Sequence, residues 1–261
     1  MFSPVPTSLP VPEVEREQFA RPPLRAMLGQ VQFPPVLRLS TAEGLAPLHE
    51  EVAETFPEVS EERQLTVQMG AQASLQPAAT RSFRFTSADQ AWSLIIAPGA
   101  ITVEASADQY TSYEAFRERF ALAWGAALRH VRPSRRVQQG LRYIDHIERA
   151  LPASEWGRYV NGALLGILAQ PDFAASVQSS LTDLRFTLGE GQLSFKHGLV
   201  QAGPENAWGY LLDFDYFTTE PSGDVSAESV LEQFDAFHDA LHGFFRWCVT
   251  DEALSEFRGA D

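Results

Sequence analysis

Apolar and polar positions recur with two periods along this chain, and each change of period marks an element. The opening stretch has no period. Prolines at 4, 6, 10 and 12 block helix and sheet pairing and favour extended polyproline conformations, which predicts a flexible tail over 1–20. Met27 to Phe33 is apolar and bounded by Pro22-Pro23 and Pro34-Pro35, which predicts a strand. Ser40 and Glu43 have capping-box spacing, and Leu45, Leu48, Val52 and Phe56 follow at helical spacing. Strands come next. "RQLTVQM" alternates Leu65 and Val67, "RSFRF" alternates Phe83 and Phe85, and "AWSLIIAPGAITVEA" reads as a hairpin turning at Pro98-Gly99. Thr111 and Glu114 form a second capping box. Behind it Tyr113, Phe116, Phe120, Ala123 and Ala127 predict a long amphipathic helix that ends before Pro133.

The second half repeats this order. "QQGLRYIDHIE" is a strand, and "SEWGRYVNGALLGIL" is a helix opened by Ser154. "LTDLRFTLGEGQLSFKHGLV" is a hairpin around Gly189-Glu190-Gly191, "WGYLLDFDYFT" a long strand, and Ser226 to Val249 a long helix. Laid over each other with an offset of about 114, Phe116 matches Val230, Phe120 matches Phe234, Trp124 matches His238 and Leu128 matches His242. The predicted fold class is therefore α+β, with duplicated halves over 21–134 and 135–261. Each half is strand, helix, antiparallel strands, long helix. The long helix covers one face of a curved sheet, and the halves can pair edge to edge into a continuous one. TATA-binding-like and helix-grip folds share this order, and both serve as binding scaffolds as often as enzymes.

"FARPPLRAMLGQVQFPP", "RSFRFTSADQAWSLIIAPGAITVEASADQYTSYEAFRERF", "GLRYIDHIE" and "FDAFHDALHGFFRWCVTDEA" together resemble a family of sporadically distributed, uncharacterised prokaryotic proteins. That family carries a PP-containing first strand, a Y-x-S-x-E-x-F helix, an L-R-Y-I strand and a final helix with a histidine, an aromatic and a V-T stop. The resemblance covers about residues 19 to 255. It brings no catalytic residues with it. Its patchy distribution implies horizontal transfer, which is typical of defence cassettes, mobile elements and biosynthetic clusters, and with that the expectation is a component of a bacterial defence or mobile gene cassette.

Composition narrows the function classes. A formal charge of −14 repels phosphate backbones and anionic membranes, so neither nucleic acid nor a membrane surface is an expected partner. No stretch approaches the roughly 20 apolar residues of a membrane span. The N-terminus lacks the basic and apolar regions of a signal peptide. The single cysteine, Cys248, rules out an intramolecular disulfide and fits a reducing cytoplasm. It lies on an apolar helix face and reads as a core residue.

Three stretches could carry chemistry. "FHDALH" places His238 and His242 one turn apart with Asp239 between them, close to the H-E-x-x-H of zinc hydrolases. A zinc site needs a third ligand, and the nearest downstream acids come after the helix stop at Thr250. The matched positions, Trp124 and Leu128, argue instead for packing histidines. "LLDFDYF" sets Asp213 and Asp215 on one strand face, roughly 7 Å apart, opposite Tyr210, Leu212, Phe214 and Tyr216. They could serve acid–base or metal chemistry, or they could pair with Arg142 or Arg185 on a solvent-facing sheet. "RYIDHIE" adds Asp145, which could converge with Asp213 and Asp215 in a groove between the halves. Separately, "RHVRPSRR" collects Arg129, Arg132, Arg135 and Arg136. That cluster is either a solvated loop at a helix C-terminus or an anion or acidic-partner site. No Rossmann, P-loop, nucleophile-elbow or paired-cysteine motif is present, so no cofactor is expected.

Two functions follow as expectations. The first is a non-enzymatic binding or scaffold protein that holds a protein or peptide partner, with homo-oligomerisation left open. The second is a small-molecule binder or metal-dependent enzyme, its pocket lined by Asp145, Asp213, Asp215 and His238.

Overall fold

A computed structural model describes residues 8–11, 14–66, 78–106, 110, 112–149, 151–189, 191–202 and 207–259. Nine strands lie among them: β1 Leu24–Gln32, β2 Glu58–Thr66, β3 Ala78–Thr86, β4 Trp92–Ala97, β5 Ala100–Ser106, β6 Gln138–Glu148, β7 Thr182–Leu188, β8 Gly191–Ala202 and β9 Ala207–Thr218. The helices are α1 Ala42–Val52, α2 Tyr113–His130, α3 Gly162–Leu165, α4 Pro171–Ala174, α5 Ala227–Cys248 and α6 Asp251–Arg258. The fold class is α+β.

The chain divides into two compact units. The first-half unit holds residues 28–139 and 221–232, and the second-half unit holds 1–27, 140–220 and 233–261. In the first-half unit the strands run in the order β2-β3-β4-β5-β1, and β2 to β5 pair antiparallel in succession. Phe33 N donates to Gly99 O at 2.9 Å where the β4–β5 turn meets the end of β1. Phe83, Phe85, Leu94, Ile96, Ile101 and Val103 are buried, as are Phe116, Phe120, Ala123 and Trp124 of α2. Alternation along the strands and 3–4 spacing along the helix thus supply the two sides of one core.

In the second-half unit the order is β6-β9-β8-β7, with every pairing antiparallel. One sheet face packs on α5. Tyr216 meets Phe237 at 4.4 Å between ring centroids, and Phe244 meets Phe195 at 4.8 Å and Phe214 at 5.5 Å. These tilted and edge-on contacts suit the charge distribution of aromatic rings.

Three local expectations shift. Thr41, not Ser40, caps α1, its hydroxyl accepting from Gly44 N at 3.2 Å. Ser112 caps α2 by accepting from Ala115 N, while Thr111 lies outside the described residues, as do Val67 and Glu190. The helix expected from Ser154 breaks into two 3₁₀ turns and α3. Tyr159 to Asn161 leave the helical path to bond α5 and α6: Asn161 N donates to Cys248 O and Thr250 N to Tyr159 O. Glycines at 157, 162 and 166 weaken helical propensity through this stretch. The opening segment has no helix or strand over 14–19, and its side chains there contact α5 and α6. Arg16 donates to both carboxylate oxygens of Asp239 at 2.6 and 3.1 Å, Glu17 pairs with Arg246 and Arg258, and Phe19 packs 5.9 Å from Phe245 and 6.0 Å from Phe257.

Candidate functional site

Register decides which side chains can meet. On β6 and β9, Tyr143 stands opposite Phe214, Asp145 opposite Leu212 and Ile147 opposite Tyr210. Residues directly opposite in a ladder share a face, so Asp145 lies on the face that α5 covers. Arg142 stands opposite Asp215 and Ile144 opposite Asp213, on the other face. The three aspartates therefore do not converge: Asp213 and Asp215 share a face, and Asp145 points away from them.

On the face away from α5 the register continues across the sheet. Asp215 is opposite Ser194 and Asp213 opposite Lys196, and on β7 these meet Arg185 and Asp183. Two rows result. One reads Arg142, Asp215, Ser194, Arg185; the next reads Ile144, Asp213, Lys196, Asp183. Arg142 Nε and Nη2 donate to the two oxygens of Asp213, each at 2.8 Å, a bidentate pair. That hydrogen bonding raises the Arg142 guanidinium above its ordinary value. Burial raises the Asp215 carboxyl, against the pull of Arg142 and Lys196. Asp183 and Arg185 are exposed, and Arg142, Lys196 and Asp215 are half-buried.

The covered face holds the other titratable groups. Burial, with the Asp213 charge adding to it, pushes the Asp145 carboxyl up to about 8. Burial also pushes the Cys248 thiol and the Tyr210 hydroxyl up. Tyr210 Oη lies 2.9 Å from His197 Nδ1 and donates to Leu164 O at 3.2 Å. A buried thiol with a raised value is a poor nucleophile at neutral pH.

Both histidines of "FHDALH" have partners inside the unit. His238 Nδ1 lies 2.9 Å from Tyr143 Oη, on the sheet face under α5. His242 Nε2 lies 3.3 Å from the Glu15 carbonyl, and its ring stacks on Phe19 with centroids 6.4 Å apart. Burial holds His242 below the ordinary imidazole range. The Asp239 carboxylate between them binds Arg16. Among the described residues, no group of three or more His, Cys, Asp or Glu side chains is placed to hold a metal ion.

The arginine cluster is divided. Arg129 makes a two-toothed contact with Glu51, which His130 also reaches, and these bonds lower the Glu51 carboxyl to about 2. Arg136 is buried. Its Nη1 donates to Gln139 at 2.6 Å and its Nη2 to Ser229 at 2.9 Å and Ser222 at 3.2 Å. Arg132 and Arg135 are exposed. Arg132 Nε also donates to Arg129 O at 3.4 Å, so three of the four cations have partners within the chain and Arg136 alone is buried.

Lys196 and Asp183 were missing from the candidates, and Arg185 was named only as a possible partner of Asp213 or Asp215. Alternation places each on a face of its own strand, but only the β9–β8–β7 register joins them to Asp213 and Asp215. No helix among the described residues is long and apolar enough to cross a membrane. Compared with known proteins, the chain matches no family model and no curated protein.

Proposed function

We propose that the chain is a non-enzymatic binding protein, and that it takes a protein or peptide partner on the charged face of β6, β9, β8 and β7. The observation that carries this reading is the pair of rows around the Arg142–Asp213 bond. Lys196, Asp215, Arg185 and Asp183 present both signs of charge around it on β8, β9 and β7, and Arg142 extends the face to β6. A surface of alternating sign is complementary to another mixed polar surface and poorly matched to a polyanion. The groups that acid–base or nucleophilic chemistry would use support it further. Asp145 and Cys248 are buried, and His238 is engaged by Tyr143. A catalytic group must reach its substrate within hydrogen-bond distance, directly or through one water.

The test is affinity purification of full-length protein from its native cells, with proteins encoded beside its gene as first candidates. Lys196→Glu reverses one charge in the centre of the face without touching the core. Loss of a specific partner with Lys196→Glu, but retention with a remote reversal such as Glu54→Lys, is the expected result. Equal retention by both variants would contradict the reading.

A further inference from the structure

The end strand β7 has a composition that edge strands ordinarily avoid. Unpaired strand edges invite pairing with other chains, and native proteins guard them with lysine, proline, bulges or dense charge. At the end of the first-half run, β2 carries Glu58, Glu61 and Glu62, with Glu61 bound to Arg81 at 2.7 Å and Glu62 to Arg84 at 2.6 Å. β7 reads "TDLRFTL", with neither lysine nor proline. Among the described residues it pairs with β8 alone. Thr182, Asp183, Leu184 and Arg185 are all exposed, and Leu184 and its neighbour Leu181 are 38% and 59% accessible.

We infer that β7 is a self-pairing edge, and that its occupant is β7 of a second copy of this chain, running antiparallel about a two-fold axis at Leu184. Charge selects both the occupant and the register. In an antiparallel pair centred on Leu184, Asp183 of each copy faces Arg185 of the other, so two opposite-charge pairs form on the polar face. Leu184 then meets Leu184 on the apolar face, and Thr182 meets Phe186. A register centred on Asp183 would oppose two carboxylates, and one centred on Arg185 would oppose two guanidiniums. Opposite charges directly across a ladder stabilise it, and like charges destabilise it. A two-fold contact of this kind is isologous, the same patch serving both copies, and it closes at two chains. The −14 charge of each chain opposes association at long range, so the locally balanced edge is where two copies can approach. The inference does not depend on the function proposed above.

Sedimentation velocity of the full chain, from low to high micromolar concentration, tests it. The expected result is a reversible shift from one chain mass to two. Asp183→Arg and Arg185→Asp each place like charges across the register, so each variant alone should stay monomeric. Mixed in equal amounts they restore both opposite-charge pairs, and the mixture should dimerise again. Both positions are exposed, and unchanged thermal unfolding would show that the variants fold. A wild-type chain that stays monomeric throughout overturns the inference. So does dimerisation undiminished in either single variant, and so does a mixture that fails to recover.

Discussion

Asp145 on β6 stands opposite Leu212 on β9, one residue out of step with Asp213. That step separates two carboxyls by the thickness of the sheet. Asp213 faces Arg142 on the charged side, and Asp145 lies under α5 with its carboxyl pushed up to about 8. The two therefore answer differently to pH and to mutation.

For Asp145, the folded protein keeps a proton that the unfolded chain releases near the ordinary carboxylate value. Its contribution is complete below about pH 4 and declines as pH rises from about 4 to about 8, by up to about 1.4 kcal/mol per pH unit. Asp145→Asn is neutral and nearly the same shape. Thermal unfolding near pH 5 and near pH 8 should show wild type losing more stability than the variant across that interval. Parallel losses would contradict the assignment.

Arg142 is the partner that keeps Asp213 tolerable in a buried position. Breaking a fully buried pair costs about 3–5 kcal/mol. The Arg142 side chain is 39% accessible, so water would re-enter around Asp213 after truncation. We expect Arg142→Ala to cost about 1–2 kcal/mol in chemical denaturation. Asp213→Asn should recover part of that loss in the double variant, because it removes the stranded charge.

His146 is buried, and its ring makes only weak polar contacts: Nδ1 lies 3.5 Å from a Glu148 oxygen, the Val200 backbone also reaches the ring, and neither ring nitrogen makes a well-formed hydrogen bond. Burial holds this imidazole below its ordinary value. An unsatisfied buried polar group costs about 1–3 kcal/mol. His146→Leu should therefore leave stability unchanged or raise the melting temperature. A large fall would mean that the contacts to Glu148 and the Val200 backbone stabilise the ring more than its burial costs.

The β4–β5 hairpin and the β6 and α5 spans followed from alternation and 3–4 spacing, because those patterns report burial on one face. The match of His238 to Trp124 pointed to a buried position, and both side chains are buried. The position of Asp145 was not legible in the sequence, because a one-step change of register between β6 and β9 leaves each strand's own pattern intact. The pairs Glu51–Arg129 and Arg16–Asp239 were also invisible, since they join residues 78 and 223 positions apart.

The opening segment gives a prediction that sequence composition would not suggest. Phe19 is half-buried against His242, Phe245 and Phe257. Phe19→Ala should cost about 1–2 kcal/mol. It should also let water reach His242, which burial now holds low, with Glu17, Asp239 and the Glu15 carbonyl favouring its charged form and Arg246 opposing it. An NMR titration of the His242 ring should move upward toward the ordinary imidazole value in the variant. An unmoved titration would contradict the cover.

The proposed function requires that the Lys196-centred face meet a partner. A photo-crosslinking residue placed at Lys196 in native cells measures this directly, with the same residue at exposed Glu54 as the control. A partner on this face gives a discrete crosslinked protein species from position 196 that position 54 does not give. No species at 196, or the same species at both positions, would contradict it.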